Sequence, residues 1–308
     1  MNKVCLLTND VETTSIYHNS LRDATGARVL KEGMPLLLEL YAKYNIKSTF
    51  FFTGYIADKF PGVVEMILPY GHEVGCHGFT HDPDKAFDVL SLTEQIEHLK
   101  KAKQILENIS GRKVISFRAP AARVNKDTAI ALKETGFEID SSVASQRFDM
   151  FLSFGGIKKL NWLTAPRCAY FTNPNNLWKA GIGPIFEIPI SALILPYIGT
   201  TLRMSPFLTR SLRSTLVAES RYLNNKPIVF LTHPNEFITE FDELRENHRR
   251  TQNYLSYLWR ELIRRKLKLK NLGLPGLTIY EKELNYFSKN DFSFLTCKEY
   301  YEMHLLAK

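Results

Sequence analysis

Short apolar runs alternate along this chain with longer stretches that are apolar at helical period. Residues 4–7 (Val-Cys-Leu-Leu) form the first run and predict a strand. After a polar loop, Gly33-Met34-Pro35 leads into residues 36–44, which predict a helix with proline near its start. Residues 48–52 (Ser-Thr-Phe-Phe-Phe) predict a second strand, aromatic and β-branched. Residues 61–68 predict a helix ending before Pro69-Tyr70-Gly71, and residues 73–76 a third strand. A helix is expected over 93–109, closed by Ser110-Gly111, and a fourth strand over 114–117. A helix over 126–134 stops at Gly136, and 137–140 predict a fifth strand. Residues 145–185 are less regular, broken by Gly155-Gly156, Pro166, Pro174, Gly181 and Gly183. Residues 185–189 and 228–231 read as later strands, with a helix over 209–223 between them.

Such alternation argues for a parallel sheet, and this many repeats for a barrel. A chain of 308 residues is within the range that α/β barrels reach as one domain. No internal repeat or low-complexity linker divides it. The reading is a barrel over residues 1–240 and a helical C-terminal extension over 241–308 packed on the same domain.

Composition, 44% hydrophobic and 23% charged, excludes a disordered chain. No stretch approaches the roughly 20 apolar residues of a bilayer span. The N-terminal apolar run is too short for a secretory core and is followed by Asn9-Asp10, so a cytoplasmic protein is expected. Cys5, Cys76, Cys168 and Cys297 include no C-x-x-C pair, which argues against a thiolate zinc knuckle or a redox pair. Cys76, beside His77, reads as a small buried residue.

The net charge of +8 is uneven. Nine Lys/Arg between Arg245 and Lys270 face only Glu246 and Glu261, a local balance of +7 (9 − 2). Leu255, Leu258, Trp259, Leu262 and Ile263 interleave with them at helical spacing. The segment is either an outer helix with a solvated basic face or a peripheral contact with the inner face of an anionic membrane. The apolar stretch 193–198, followed by Arg203, Arg210 and Arg213, would add to the second reading. Without a recognition motif, nucleic acid is not an expected partner.

Residues with chemistry follow the predicted strands. Asp10 and Glu12 come after the first, His77 and His81 after the third, Arg118 and Pro120 after the fourth. Asp140 ends the fifth, Glu187 lies in the sixth and His233 follows the last. In a parallel barrel all strand C-termini open on one face, so these residues would converge. Two imidazoles four residues apart can face one ion if the backbone turns between them. With one carboxylate from Asp10 or Glu12 they make a His₂-carboxylate shell, common for catalytic zinc, and the other carboxylate can act as base. His233 could protonate a leaving amine, and Arg118 could hold the base ionised. Together these would suffice for metal-assisted amide hydrolysis. The other histidines read blandly: His72 as a turn residue, His18 as a loop residue, His98 as a solvent-facing helix residue.

In order and spacing, Thr8-Asn9-Asp10-Val11-Glu12, His77-Gly78-Phe79-Thr80-His81, Arg118-Ala119-Pro120 and Leu231-Thr232-His233 resemble the motifs of the polysaccharide deacetylase family. This is the NodB-homology group, carbohydrate esterase family 4. The flanking 48–52 and 71–75 segments also match, and the likeness covers about residues 3–235. It implies a deformed (β/α) barrel of about seven parallel strands and a hydrolase of N-acyl amino sugars. It further implies a divalent metal, zinc first, with cobalt, nickel or iron as alternatives. By position, Asp10 would be the base, His77 and His81 metal ligands, His233 the acid, and Arg118 the residue orienting the base. Leu231 would line the acyl pocket beside Pro120, and the Ala121 N–H would help bind the oxyanion. Asp140 and Glu187, which shape the groove, are counted with the substrate-binding residues.

The family's common first motif has two adjacent Asp residues; the acid-x-acid spacing here resembles a smaller branch and assigns the ligand role to Glu12. Ala121 stands where many members have Tyr, and the late Asp-Trp pair is missing. The expected substrate is an amino sugar, free, lipid-linked or nucleotide-linked. A deformylase or a cyclic-imide or allantoin-type amidohydrolase would keep the fold and change the bond. A non-catalytic carbohydrate-binding protein is the reading from another class.

Overall fold

The computed structural model describes residues 3–147, 161–223, 226–241 and 263–306. Most of the basic segment singled out above, residues 242–262, lies outside the described residues, and so do 148–160.

The chain starts with β1 (Lys3–Val11), α1 (Met34–Lys43), β2 (Thr49–Phe52), α2 (Gly54–Lys59) and β3 (Glu73–Cys76). It continues through α3 (Leu92–Ser110), β4 (Ser116–Phe117), α4 (Asp127–Glu134) and β5 (Ile139–Asp140). An antiparallel pair, β6 (Tyr170–Asn173) and β7 (Asn176–Ala180), precedes β8 (Phe186–Glu187). Then come α5 (Gly199–Met204), α6 (Pro206–Tyr222) and β9 (Ile228–Thr232). The C-terminal part holds α7 (Leu274–Lys289), β10 (Phe292–Phe294) and α8 (Cys297–Leu306).

Seven strands run parallel in the order β9-β1-β2-β3-β4-β5-β8. β10 joins them by pairing with Lys3–Cys5 at the start of β1. The sheet curls but does not close into a full ring. The free edge of β8, a strand of two residues, is taken by antiparallel β6. Across the gap to β9, Ser191 N–H donates to the Val229 carbonyl (3.2 Å) and Val229 N–H to Ser191 Oγ (3.0 Å). The result is a deformed, open barrel.

Several elements differ in extent from the sequence reading. The helix expected over 61–68 is split into Gly62–Glu65 and the 3₁₀ turn Leu68–Tyr70, which contains Pro69. A helix not anticipated, α2, starts at Gly54, where Thr53 Oγ1 accepts the Ile56 N–H (3.4 Å). The long helix α3 has both ends specified: a Ser91/Glu94 capping box and Gly111 in the left-handed conformation at its C-terminus.

Alternation along β1 sets up the site. Val4, Leu6, Thr8 and Asp10 share one face of the strand, and Glu12 follows just beyond its end. At the lower end, Val4 and Leu6 pack with Phe51, Ile115, Ile139, Phe186, Ile188 and Val229, and Cys297 and Tyr301 of α8 join this cluster. The barrel interior is therefore filled with apolar side chains below, and the polar members of β1 emerge above them. The opposite face of β1, with Leu7 and Val11, packs in the larger core with α1 and α3.

Candidate active site

The histidine loop follows β3 and is held by α2. Gly54 N–H donates to the Gly78 carbonyl (2.9 Å) and Tyr55 N–H to the Phe79 carbonyl (2.8 Å). The first two amides of a helix, which lack partners within it, thus fix the turn between His77 and His81. Gly78 has φ +69°, and a side chain there would meet Phe87 at 3.0 Å and Pro120 at 3.3 Å.

His77 is buried, and its Nδ1 donates to the Arg118 carbonyl (2.8 Å). That bond fixes the tautomer and leaves Nε2 as an acceptor. Nε2 is buried without a hydrogen-bond partner and faces Asp10 Oδ2 at 3.7 Å. His81 Nε2 accepts the Ala121 N–H (3.1 Å) and lies 3.3 Å from Glu12 Oε2. Acceptor atoms thus face acceptor atoms, an arrangement that favours a cation among them. Glu12, His77 and His81 offer ligand atoms all within 4.8 Å of one another. Burial is the main influence lowering the His77 pKa, with His81 adding to it against Asp10 and Glu12; the neutral imidazole is the form that ligates a metal. Glu12 Oε2 also accepts the Thr14 hydroxyl (2.9 Å).

Arg118 lies inside the barrel, its guanidinium 4.4 Å from the centre of the Phe51 ring. Nε donates to the Ser141 carbonyl (2.8 Å) and Nη2 to Ser141 Oγ (2.8 Å). Nη1 donates to Thr8 Oγ1 (2.8 Å) and to Asp10 Oδ1 (3.0 Å). Burial pushes the Asp10 carboxyl up, but His77, Arg118 and His233 together outweigh it and hold the group below the usual carboxylate range.

His233 completes the group. Its Nε2 lies 3.9 Å from Asp10 Oδ2, and its Nδ1 is 3.3 Å from Glu236 Oε1. Burial would lower its pKa, yet Glu236, Asp10 and Glu12 raise it to about 9. Burial likewise opposes ionisation of Glu236, but Arg203 and His233 bring that carboxyl down to about 2. The carboxylates on both sides of His233 therefore favour its imidazolium form.

A cavity of about 320 Å³ opens beside these groups, and Asp10, His81, Arg118, Ala121, Leu231 and His233 line it. Much of the remaining lining is aliphatic (Ile190, Leu195, Pro196, Ile198, Met204 and Leu208), with Thr200, Thr201 and Ser205 among it; Arg147 and Lys268 also line it. Ala121 and Ala122 have φ of +52° and +50°, a conformation non-glycine residues rarely adopt. It turns the Ala121 N–H toward His81. Such local strain persists only where surrounding structure imposes it; here Ser142 Oγ accepts the Ala119 N–H (2.9 Å) at the base of the turn.

The structure brings Asp10, Glu12, His77, His81, Arg118, Ala121, Leu231 and His233 together. Pro120 is buried next to them in the turn. Asp140 and Glu187 are placed differently from the expectation of a substrate contact. Both are fully buried and off the cavity wall. Asp140 Oδ1 accepts the Ser142 hydroxyl (2.6 Å) and Glu187 Oε1 the Val143 N–H (3.0 Å), so they brace the 141–143 loop that carries the partners of Arg118. Burial pushes both carboxyls up, and at Glu187 the nearby Asp140 adds to it. His72 is a core residue rather than a surface turn: its Nδ1 accepts the Ser48 N–H (3.2 Å), and burial lowers its pKa to about 4. His98 is half-buried against the Phe79 ring instead of facing solvent. Arg203 and Arg213 do not extend a basic surface; both are buried and pair with Glu236 (3.2 Å) and Glu283 (2.8 Å). The sequence reading missed Glu236, although it stands three residues after His233 and the following proline signalled a turn.

Residues 18–139 match the sequence profile of the polysaccharide deacetylase family. Over these residues the chain is similar to polysaccharide deacetylases. A peptidoglycan deacetylase of Helicobacter pylori is 29% identical over 116 residues, covering 38% of this chain and 39% of that protein. The chain spans about two fifths of the length of the curated relatives it matches first. Among solved structures, a probable polysaccharide deacetylase from Pseudomonas aeruginosa superposes with a TM-score of 0.57 at 13% identity, covering 96% of this chain and 89% of the other. The Puue allantoinase superposes with a TM-score of 0.57 at 13% identity, covering 96% and 88%. At such identities the likeness is one of fold. The chain thus unites an open barrel with a cluster suited to a divalent metal.

Proposed function

We propose that this protein is a zinc-dependent hydrolase that removes the N-acetyl group from an amino sugar. The observation that carries this reading is the buried, unpartnered His77 Nε2, facing a carboxylate beside Glu12 and His81. Two imidazoles and one carboxylate are the donor set of many catalytic zinc sites. Glu12, His77 and His81 would hold the ion, whose Lewis acidity acidifies water and polarises an acyl oxygen. Asp10, kept ionised by Arg118, takes the proton of the attacking water. His233 gives its Nε2 proton to the leaving nitrogen. The Ala121 N–H, now directed at His81, is the backbone donor on this loop for an oxyanion. Leu231 lines the cavity where an acyl methyl would sit.

The aliphatic part of the lining favours an amino sugar on an apolar carrier, and the cations Arg147 and Lys268 on the same cavity suit an anionic linkage. A lipid-linked sugar phosphate fits both features better than a nucleotide sugar does. Such a substrate would bring the protein to a membrane surface; among the described residues no helix is long and apolar enough to cross one.

Metal analysis together with acetate release from a panel of N-acetylglucosamine compounds tests the proposal. Zinc-loaded protein is expected to release acetate, and His77→Ala to lose stoichiometric metal and activity together. Formate release instead of acetate would move the reading to a deformylase. A protein that retains no divalent metal and hydrolyses none of the panel would refute it.

A further inference from the structure

His233 is followed directly by the 3₁₀ turn Pro234–Phe237, in which the Glu236 N–H donates to the His233 carbonyl (3.0 Å). This turn brings a carboxylate back to the imidazole three residues earlier, with Glu236 Oε1 3.3 Å from Nδ1. The carboxylate is buried and held from several sides. Thr200 Oγ1 donates to Oε1 (3.0 Å), and Arg203 Nε (3.2 Å) and Thr232 Oγ1 (3.4 Å) to Oε2. Close approach needs a glycine at 199: a Cβ there would lie 2.1 Å from Glu236 Oε2.

Arg203 is itself held by the C-terminal part of the chain. Its Nη1 donates to the carbonyls of Lys268 and Lys270 (both 2.9 Å), and its own carbonyl accepts from Asn271 Nδ2 (2.8 Å). The Glu236 carbonyl accepts the Gly273 N–H (3.0 Å). A chain of charge-assisted contacts therefore runs from the 268–273 segment through Arg203 and Glu236 to His233, whose Nε2 points to Asp10.

We propose that Glu236 is the positioning residue for His233, fixing its Nδ1 as the inner donor and its Nε2 as the atom facing the cavity, and that Arg203 locks Glu236 in place. This rests on the reading of His233 as the acid. A carboxylate behind an imidazole selects the tautomer and steadies the imidazolium, which is the form an acid must start from. The charged groups around the ring are Glu236 and Arg203 behind it, Asp10 and Glu12 in front, and Lys268 on the cavity wall. The two front carboxylates serve the base and the metal shell, which leaves Glu236 as the one whose contacts are all to His233 and its supports.

The test compares kcat/KM–pH profiles of the zinc-loaded full chain with NMR titration of the His233 imidazole. The basic limb of the unsubstituted protein is expected above the ordinary histidine value, because the Glu236 carboxylate at 3.3 Å stabilises the imidazolium. Glu236→Gln is expected to move the limb and the imidazole titration toward about 6.5, the ordinary histidine value. It should lower kcat far more than it changes KM, with metal content intact. Glu236→Asp, which keeps the charge, is expected to restore most of the basic limb. His233→Ala separates the two levels of the argument: if it keeps full kcat, the acid assignment itself fails. If it is inactive while Glu236→Gln leaves both limb and titration where they were, the positioning role is overturned. Should Glu236→Gln not fold, Arg203→Gln decides. Loss of that cation leaves His233 as the main counter-charge of Glu236 and should shift the limb upward. No shift, or a downward one, overturns the proposal.

Discussion

Arg118 joins three elements through one side chain. It spends its donors on Ser141, Thr8 and Asp10, and its guanidinium covers Phe51. Its effect on Asp10 is electrostatic, one of three influences that override burial. With Arg118→Gln, the Asp10 pKa is expected to rise and the acidic limb of kcat/KM to move to higher pH. Below that limb each unit of movement costs about tenfold in rate, and a pH–rate profile reads it directly. A limb that stays put would mean that His77 and His233 suffice to keep Asp10 ionised. At this scale the sequence was most informative where a residue type followed a strand: Asp10, His77, His81, Arg118 and His233 could be placed on one rim because strand ends share it. It was least informative for groups whose role depends on burial. Asp140 and Glu187 are also at strand ends, yet they are buried in protein and do not line the cavity. Arg203 read as a surface cation because nothing in its neighbourhood announces Glu236 as a buried partner.

At the scale of elements, the His77–His81 turn depends on α2, and the two meet through backbone bonds at Gly78 and Phe79. Gly78 and Gly111 make a matched pair, with φ of +69° and +63°. Both glycines avoid a cost of roughly 1–2 kcal/mol that an L side chain meets in that region. At Gly111 an added Cβ meets nothing within 4 Å, whereas at Gly78 it meets Phe87 and Pro120. Gly111→Ala is expected to lower stability by about 1–2 kcal/mol and to leave metal affinity unchanged. Gly78→Ala should cost more and also weaken metal binding by tenfold or more, because the turn carrying both histidines must shift. Denaturant unfolding and competition with a chelator measure the two quantities separately; equal metal affinity in both variants would contradict the coupling. Elements were readable in proportion to their length and regularity. The long helix α3 announced itself through its capping box and Gly111. The β6–β7 pair, which leaves the barrel open, lies in a stretch whose prolines and glycines hid its pairing.

At the scale of the whole molecule, the C-terminal part works as structure for the barrel. β10 adds a strand beside the start of β1, and Cys297 and Tyr301 of α8 close the interior from below. α7 is tied across the fold by Glu283, which accepts Arg213 Nη1 (2.8 Å) and the Tyr197 hydroxyl (2.7 Å). The Tyr280 hydroxyl meets that of Tyr41, which in turn donates to Asn9 Oδ1 (2.8 Å each). Asn9 neighbours Asp10 on β1, so this network reaches the strand that carries the base without touching the cavity. Breaking one partner of a buried ion pair leaves the other charge uncompensated, typically at about 3–5 kcal/mol. Glu283→Gln is therefore expected to cost a few kcal/mol of stability, seen as a lower denaturation midpoint. The fraction that remains folded should keep its kcat and metal content, because neither Glu283 nor its partners line the cavity. Loss of kcat in the folded fraction would instead show that α7 transmits strain through Tyr41 and Asn9 to Asp10. The contrast with Arg203 is instructive, since both arginines are buried and paired. Arg213 ends in a structural carboxylate, whereas Arg203 ends in Glu236 and through it in His233. Substitutions along the first path should move stability alone, and those along the second should move the pH profile as well.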